Sequence, residues 1–122
     1  MHELSIAQAL VEQLDHIVRR EGAAHVAAVK VTVGSLSGVE PEALDMAFPV
    51  AAESSVAAGA ALVLELVPAR ALCHTCRAEF EPDFPCFVCE TCGCEDVEIR
   101  GGRELLISSV ELEYETREQD HV

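Results

Sequence analysis

The spacing of apolar residues near the amino terminus predicts an amphipathic helix that begins at about Ser5. Ser5 and Gln8 fit a capping box at its start, and Gly22 is placed to end it. The apolar stripe consists of Ile6, Leu10, Leu14 and Ile17, widened by Val11 and Val18. One face of this helix should therefore be buried.

Alternating apolar and polar positions predict three strands farther along the chain, at Val26–Gly34, Leu62–Val67 and about Glu104–Glu115. A second helix should begin at Pro41, and Pro49 predicts a kink or an early end. Its expected buried face consists of Leu44, Ala47, Phe48 and Ala51. We therefore predict an α+β fold, in which two helices accompany a three-stranded sheet.

All six cysteines lie between the second and third strands, from Cys73 to Cys94. The pairs Cys73/Cys76 and Cys89/Cys92 each have the C-x-x-C spacing, and two such pairs are typical of a zinc site. Two residues between cysteines let a tight turn direct both sulfurs at one metal, and two turns supply four tetrahedral ligands. This segment predicts a Cys₄ zinc ribbon inserted into the α+β domain.

Other uses of these cysteines are possible from the spacing alone. Cys86 and Cys89 also form a C-x-x-C pair, but Gly93 favours the pair ending at Cys92, because glycine accepts the positive φ expected after such a turn. Disulfides would need an oxidising compartment, and a thiol-exchange pair is a further alternative. We prefer zinc, and we place the inserted domain at residues 71–100, with 1–70 and 101–122 forming the main domain.

Composition restricts the possible partners of this 122-residue chain. With 22 acidic against 8 basic residues its formal charge is −14, which argues against nucleic acid as a partner, because the phosphate backbone attracts clustered Lys and Arg. The apolar runs are far shorter than the roughly 20 residues that span a bilayer. No apolar signal segment follows Met1, so we expect a cytoplasmic protein with no membrane contact.

The first three residues, Met1, His2 and Glu3, form a second candidate metal site. The free amine, the amide nitrogen of His2 and its imidazole can close two chelate rings on one ion, and Glu3 can add an oxygen. Nitrogen donors in a plane suit Ni²⁺ or Cu²⁺, whereas thiolates suit Zn²⁺. The alternative interpretation is that His2 is an ordinary solvated histidine.

A resemblance favours the metal site. The chain resembles the HypA/HybF family of hydrogenase nickel-insertion accessory proteins in four segments: Met1–Ser5, Val33–Glu40, the two cysteine pairs, and Gly102–Leu105. The resemblance covers nearly the whole chain in order. It implies a nickel metallochaperone that is not an enzyme, with His2 as the principal nickel ligand, assisted by Met1 and Glu3.

The same resemblance implies structural zinc on the four cysteines and two protein partners. These are the nickel-handling GTPase HypB and the precursor of the [NiFe]-hydrogenase large subunit. A rival hypothesis is a zinc-ribbon adaptor that holds proteins together without carrying nickel. A hydrolytic zinc enzyme is disfavoured, because a Cys₄ site leaves no open coordination position.

Overall fold

The computed structural model describes residues 2–82 and 87–115. Their helices and strands are, in chain order, α1 (His2–Glu21), β1 (His25–Gly34), α2 (Pro41–Ala52), β2 (Ala61–Val67), β3 (Arg70–Cys73), β4 (Glu79–Phe80), β5 (Val97–Gly101) and β6 (Leu105–Glu113). The predicted α+β class, with two helices and an inserted ribbon, is confirmed. Within the described ranges, no helix is long and apolar enough to cross a membrane.

Helix α1 begins three residues earlier than the apolar pattern predicted. Ser5 lies inside the helix, so the predicted capping box at Ser5 and Gln8 is wrong. The carboxyl end is as expected: Gly22 has φ 68°, and the amide of Ala23 donates to the carbonyl of Val18 over 3.0 Å. This left-handed termination is the Schellman motif. The helix buries Ala7, Leu10, Leu14 and Val18.

Helix α2 starts at Pro41 as predicted, but it does not end at Pro49. It continues to Ala52, and the amide of Glu53 donates to the carbonyl of Pro49 over 3.1 Å. The fully buried residues are Leu44, Phe48 and Ala52, and the α1 and α2 helices pack against each other. Burial of this face outweighs the backbone hydrogen bond that Pro49 removes.

The three predicted strands form one sheet in the order β2-β1-β6. In the central strand, Val29, Val31 and Val33 are buried, as their alternation predicted. The outer strands follow the alternation less well. Leu66 and Leu106 are apolar positions in two of the strands that the alternation predicted, yet they are 63% and 48% exposed. An edge strand has a neighbour on one side only, so alternation alone overstates its burial.

The side chain of His25 is held by contacts at both ring nitrogens. Its Nδ1 lies 3.1 Å from Glu113 Oε1, and its Nε2 lies 2.9 Å from the carbonyl oxygen of Ala58. The amide of the preceding residue, Ala24, donates to the carbonyl of Glu113 over 2.8 Å. The ring therefore joins the start of β1 to the end of β6 and to the loop before β2.

The chain forms two compact units. The first takes its described residues from Met1–Val31, Glu40–Leu64 and Ile107–Val122, and the second comprises the described parts of Thr32–Val39 and Glu65–Leu106. The second unit contains a small antiparallel sheet, ordered β4-β3-β5, in the segment where the sequence had indicated only a metal site. The predicted domain boundaries at residues 71 and 100 stay a prediction.

A close backbone contact in the second unit needs two glycines. A Cβ atom on Gly34 would lie 2.1 Å from the carbonyl oxygen of Gly102, and one on Gly102 would lie 2.6 Å from Cα of Ala69. The amide of Leu36 donates to that same Gly102 carbonyl over 2.6 Å. Both contacts involve backbone atoms, which cannot rotate away from an added methyl group.

We therefore expect Gly34→Ala to lower the free energy of unfolding by about 1–3 kcal/mol, because an overpacked backbone contact must separate. Gly101→Ala is the matched control, since its Cβ would meet nothing closer than Glu104 Oε2 at 3.7 Å. It should change the free energy of unfolding by less than about 0.5 kcal/mol. Equal denaturant midpoints for the two variants would contradict the close contact.

Candidate metal sites

Four cysteine sulfurs converge in the second unit. The Sγ atoms of Cys73, Cys76, Cys89 and Cys92 all lie within 4.8 Å of one another. The Sγ of Cys73 lies 3.6 Å from that of Cys92, and the Sγ of Cys76 lies 3.5 Å from that of Cys89. These are the four cysteines that the spacing of the two C-x-x-C pairs selected.

The cluster fits a zinc ion. Four sulfurs at about 2.3 Å from a tetrahedral Zn²⁺ are about 3.8 Å apart, close to the separations observed here. Cys73 and Cys89 are buried, whereas Cys76 and Cys92 are exposed. One sulfur of each pair therefore belongs to the interior of the second unit, and the other faces solvent.

The two cysteine turns have the same backbone geometry. In the first, the amide of Arg77 donates to the carbonyl of Cys73 over 2.9 Å; in the second, the amide of Gly93 donates to the carbonyl of Cys89 over 2.8 Å. Arg77 and Gly93 have φ values of 66° and 74°. The expected positive φ at Gly93 is present. Arg77 adopts the same conformation without the freedom of glycine, and no sequence signal indicated this.

Backbone amides stabilise the thiolate form of the first cysteine in each turn. The amide of Cys92 lies 3.5 Å from the Sγ of Cys89 and lowers the pKa of that thiol to about 6. The equivalent amide of Cys76 lowers the pKa of Cys73. A backbone amide of Cys94 acts in the same direction on Cys92, but the neighbouring Cys73 sulfur and burial raise the Cys92 pKa to about 12. Without a metal, the four thiols cannot all ionise together.

His74, in the first turn, is held by two carboxylates. Its Nδ1 lies 3.1 Å from Asp96 Oδ1, and its Nε2 lies 2.9 Å from Glu98 Oε1. The bonds to Glu98 and then to Asp96 raise the pKa of His74. The backbone amide of His74 also donates to the carbonyl of Asp96 over 3.0 Å. This residue therefore ties the first cysteine turn to the start of β5.

Cys94 lies beside the cluster but outside it. Its Sγ lies 3.1 Å from the hydroxyl of Thr75, and the amide of Asp96 lies 3.4 Å from the same sulfur. Its backbone carbonyl accepts from the amide of Cys89 over 2.9 Å. Cys94 therefore links the two turns by hydrogen bonds. Cys86, of the rival C-x-x-C pair, lies outside the described residues.

The predicted amino-terminal site lies in the first unit. Met1 lies outside the described residues, and His2 is the first residue of α1. The Nδ1 atom of His2 lies 3.6 Å from Oε2 of Glu3, and the side chain of His2 is 63% exposed. The imidazole and the carboxylate of these two predicted ligands are therefore neighbours at an accessible helix end.

Glu3 makes a second contact that the sequence did not indicate. The backbone amide of Glu40 donates to Oε2 of Glu3 over 3.1 Å, and Glu40 is the residue that precedes α2. This hydrogen bond is the main reason that the pKa of Glu3 is lowered. The carboxylate therefore joins the amino-terminal ends of both helices beside His2.

A comparison with known protein families finds a match over most of the chain. A family model described as "Hydrogenase/urease nickel incorporation, metallochaperone, hypA" matches residues 1–112. The chain belongs to the HypA family. Its match includes His2, Glu3 and the four clustered cysteines.

Two HypA relatives show how much of the chain the family likeness covers. A hydrogenase maturation factor HypA from Solidesulfovibrio magneticus is 45% identical over 93% of this chain and 100% of its own length. One from Chlorobium limicola is 38% identical over 93% of this chain and 97% of its own length.

Solved HypA structures have the same fold. The solution structure of the Ni metallochaperone HypA from Helicobacter pylori matches with a TM-score of 0.67 and 26% identity, over 93% of this chain and 98% of that one. A second solution structure, of HypA protein, matches with a TM-score of 0.70 and 27% identity, over 94% and 98%. The likeness extends over both units of the present chain.

The contact between Glu3 and Glu40 predicts a pH effect. Because the pKa of Glu3 is lower in the folded protein, the contact should add stability above the unfolded-state pKa and should be lost as the pH falls through the folded-state pKa. A carboxyl NMR titration should give Glu3 a pKa below its usual range, and the Glu40 amide should shift with the same midpoint. Glu3→Gln keeps an oxygen acceptor and should remove that shift. A Glu40 amide that titrates unchanged in Glu3→Gln would contradict the contact.

The cysteine cluster predicts a difference between Cys92 and Cys94. Cys92→Ala should reduce bound zinc from about one ion per chain to almost none and unfold the second unit, because metal binding and folding are coupled. Cys94→Ala should retain zinc. Cys92 is exposed and Cys94 is half-buried against the core of the unit, so loss of packing alone would give the opposite order. Elemental analysis and amide NMR spectra measure both effects.

Proposed function

We propose that this chain is a nickel metallochaperone for hydrogenase maturation. It binds Ni²⁺ at its amino terminus through Met1, His2 and Glu3 and delivers the ion to the precursor of the [NiFe]-hydrogenase large subunit. Cys73, Cys76, Cys89 and Cys92 bind a structural zinc ion. The proposed role is that of a carrier and not of an enzyme, and a Cys₄ zinc site has no open position at which a hydrolytic water could bind.

The observation that carries this proposal is the family match over residues 1–112, which includes both metal sites in one chain. The Helicobacter pylori relative that shares the fold is itself described as a Ni metallochaperone. The relatives at 38–45% identity are described as hydrogenase maturation factors. These descriptions support nickel as the cargo and hydrogenase as the client.

The position of His2 supports nitrogen coordination of nickel. As the first residue of α1, its amide N–H has no acceptor within the helix, so a metal can take that nitrogen without breaking a helical hydrogen bond. Neighbouring ligands at about 2.1 Å from one metal are about 3 Å apart. The imidazole and the Glu3 carboxylate, now 3.6 Å apart, need only a small rotation of the exposed His2 side chain to reach that spacing.

The oxygen environment beside His2 favours exchange over permanent binding. Glu3 already accepts a hydrogen bond from the Glu40 amide, so its carboxylate must be shared between that amide and a metal. The Glu40 side chain is exposed close to the same contact and is a further candidate oxygen donor. A shared, solvent-accessible site suits a carrier, which must release its ion to an acceptor.

The proposed partners are the GTPase HypB and the hydrogenase precursor, and the proposed location is the cytoplasm. Four thiol ligands favour a reducing compartment, where they remain available to zinc. The strongly acidic composition, with a formal charge of −14, favours partner surfaces that carry Lys and Arg.

The amino-terminal site predicts that a free amine is required. An extension placed before Met1 keeps His2 and Glu3 but converts the Met1 amine into an amide and removes one chelate ring. Both the extended protein and His2→Ala should lose most high-affinity nickel binding in calorimetric titrations. Both should keep zinc and a native circular-dichroism spectrum, since the side chain of His2 is 63% exposed and belongs to no buried core.

His16→Ala is the matched control, because His16 is an exposed histidine on the same helix. It should bind nickel like the unaltered protein. Tight nickel binding by the extended protein would show that the amine is not a ligand. If the unaltered, zinc-loaded protein binds no nickel, the carrier proposal fails and the zinc-ribbon adaptor becomes the better hypothesis.

A further inference from the structure

Helix α2 is apolar on two faces, and one of them is exposed. Its buried face consists of Leu44, Phe48 and Ala52. On the opposite side, Met46 is 77% exposed, Val50 is 63% exposed, and Pro49 is also exposed. These three residues, spaced at i, i+3 and i+4, are neighbours on the helix surface. We call them the α2 stripe. Exposed apolar groups concentrated on one helix face are typical of an interaction surface.

Acidic residues border the α2 stripe. Glu42, Asp45 and Glu53 are exposed on the same side, and the helix contains no Lys or Arg. Pro49 adds to the negative potential of the helix surface. It has no N–H, so the carbonyl of Asp45, four residues earlier, lacks its usual helical donor. An apolar centre with an acidic border is complementary to an apolar groove edged by Lys or Arg.

The α2 stripe lies near the proposed nickel site. Glu40, whose amide binds Glu3, precedes α2 directly. At 1.5 Å per residue, Met46 is about 9 Å farther along the helix axis. The stripe therefore begins less than about two helical turns from the Glu3 contact, a separation that a protein receiving the ion could span.

A second copy of this chain is a poor occupant. Two α2 stripes facing each other would bring Glu42, Asp45 and Glu53 of both copies together, and each chain has a formal charge of −14. Repulsion between like charges disfavours this arrangement. Of the two proposed partners, the hydrogenase client named for the relatives is the one that must finally receive the ion, so it must approach the nickel site closely.

We propose that the α2 stripe is the surface on which the hydrogenase large-subunit precursor docks to receive nickel, and that the precursor covers it with an apolar groove edged by Lys or Arg. This inference rests on the proposed function. The thioether of Met46 suits such a contact, because its flexible side chain adapts to an irregular groove.

Purified, zinc- and nickel-loaded protein and purified large-subunit precursor test the inference by biolayer interferometry. Met46→Lys and Val50→Lys place a positive charge against the basic edge and should weaken binding by about tenfold or more. Val63→Lys is the matched control, since Val63 is 51% exposed on β2 in the same unit. It should change affinity by no more than about twofold. Circular dichroism checks the fold of each variant.

The outcomes separate this inference from the proposed function. Nickel titration of Met46→Lys should match the unaltered protein, because the stripe contributes no ligand, and a loss of nickel binding would overturn a pure docking role. Equal precursor affinity of Met46→Lys and the unaltered protein, an equal loss in all three lysine variants, or no binding of the precursor by the unaltered protein would each overturn the inference. If Met46→Lys and Val50→Lys weakened binding to purified HypB but not to the precursor, the choice of occupant would be overturned. Absence of nickel binding by the unaltered protein would instead overturn the proposed function.

Discussion

The convergence of four sulfur atoms determines the structure of the second unit. Its buried cluster consists of Ala71, Cys73, Phe80 and Cys89, so half of this small core is cysteine. Such a small number of buried apolar side chains is rarely enough to stabilise a unit of this size without a crosslink or a metal. A zinc ion on the proposed site would join the two buried sulfurs to the exposed ones of Cys76 and Cys92 and would supply the missing stabilisation. In this proposal the metal replaces part of a hydrophobic core.

The amino-terminal site depends on a different kind of contact. A single carboxylate oxygen of Glu3 lies near the imidazole of His2 and accepts the amide of Glu40. Helix α1 packs against α2, the helix that follows Glu40, and both helices bury large apolar side chains, including Leu10, Leu14 and Phe48. The packed helices therefore hold the backbone in place, while the side chains of the proposed nickel ligands remain at an exposed end. Such a combination of a fixed scaffold and accessible side chains would suit an ion that must be both bound and released.

Several local features could not be predicted from the chain alone. The predicted capping box at Ser5 and Gln8 was wrong, because α1 already starts at His2. The positive φ of Arg77 has no residue signature, since the hydrogen bond from its amide to the carbonyl of Cys73 imposes it. Partners from distant segments hold the ring of His25. The partner of Arg77 is a backbone carbonyl, and the partners of His25 are remote in sequence.

The sequence by itself determined the α+β class, the two helices, the main three-stranded sheet and the four cysteines that come together, because periodicity and C-x-x-C spacing are local properties of the chain. Only the tertiary structure decided the second small sheet, the pairing of Glu3 with the Glu40 amide, and the exposure of Met46 and Val50. Strand pairing, a carboxylate shared between two helices and the uncovered face of an apolar helix all depend on which distant segments meet. A local sequence pattern does not indicate which distant segments come into contact.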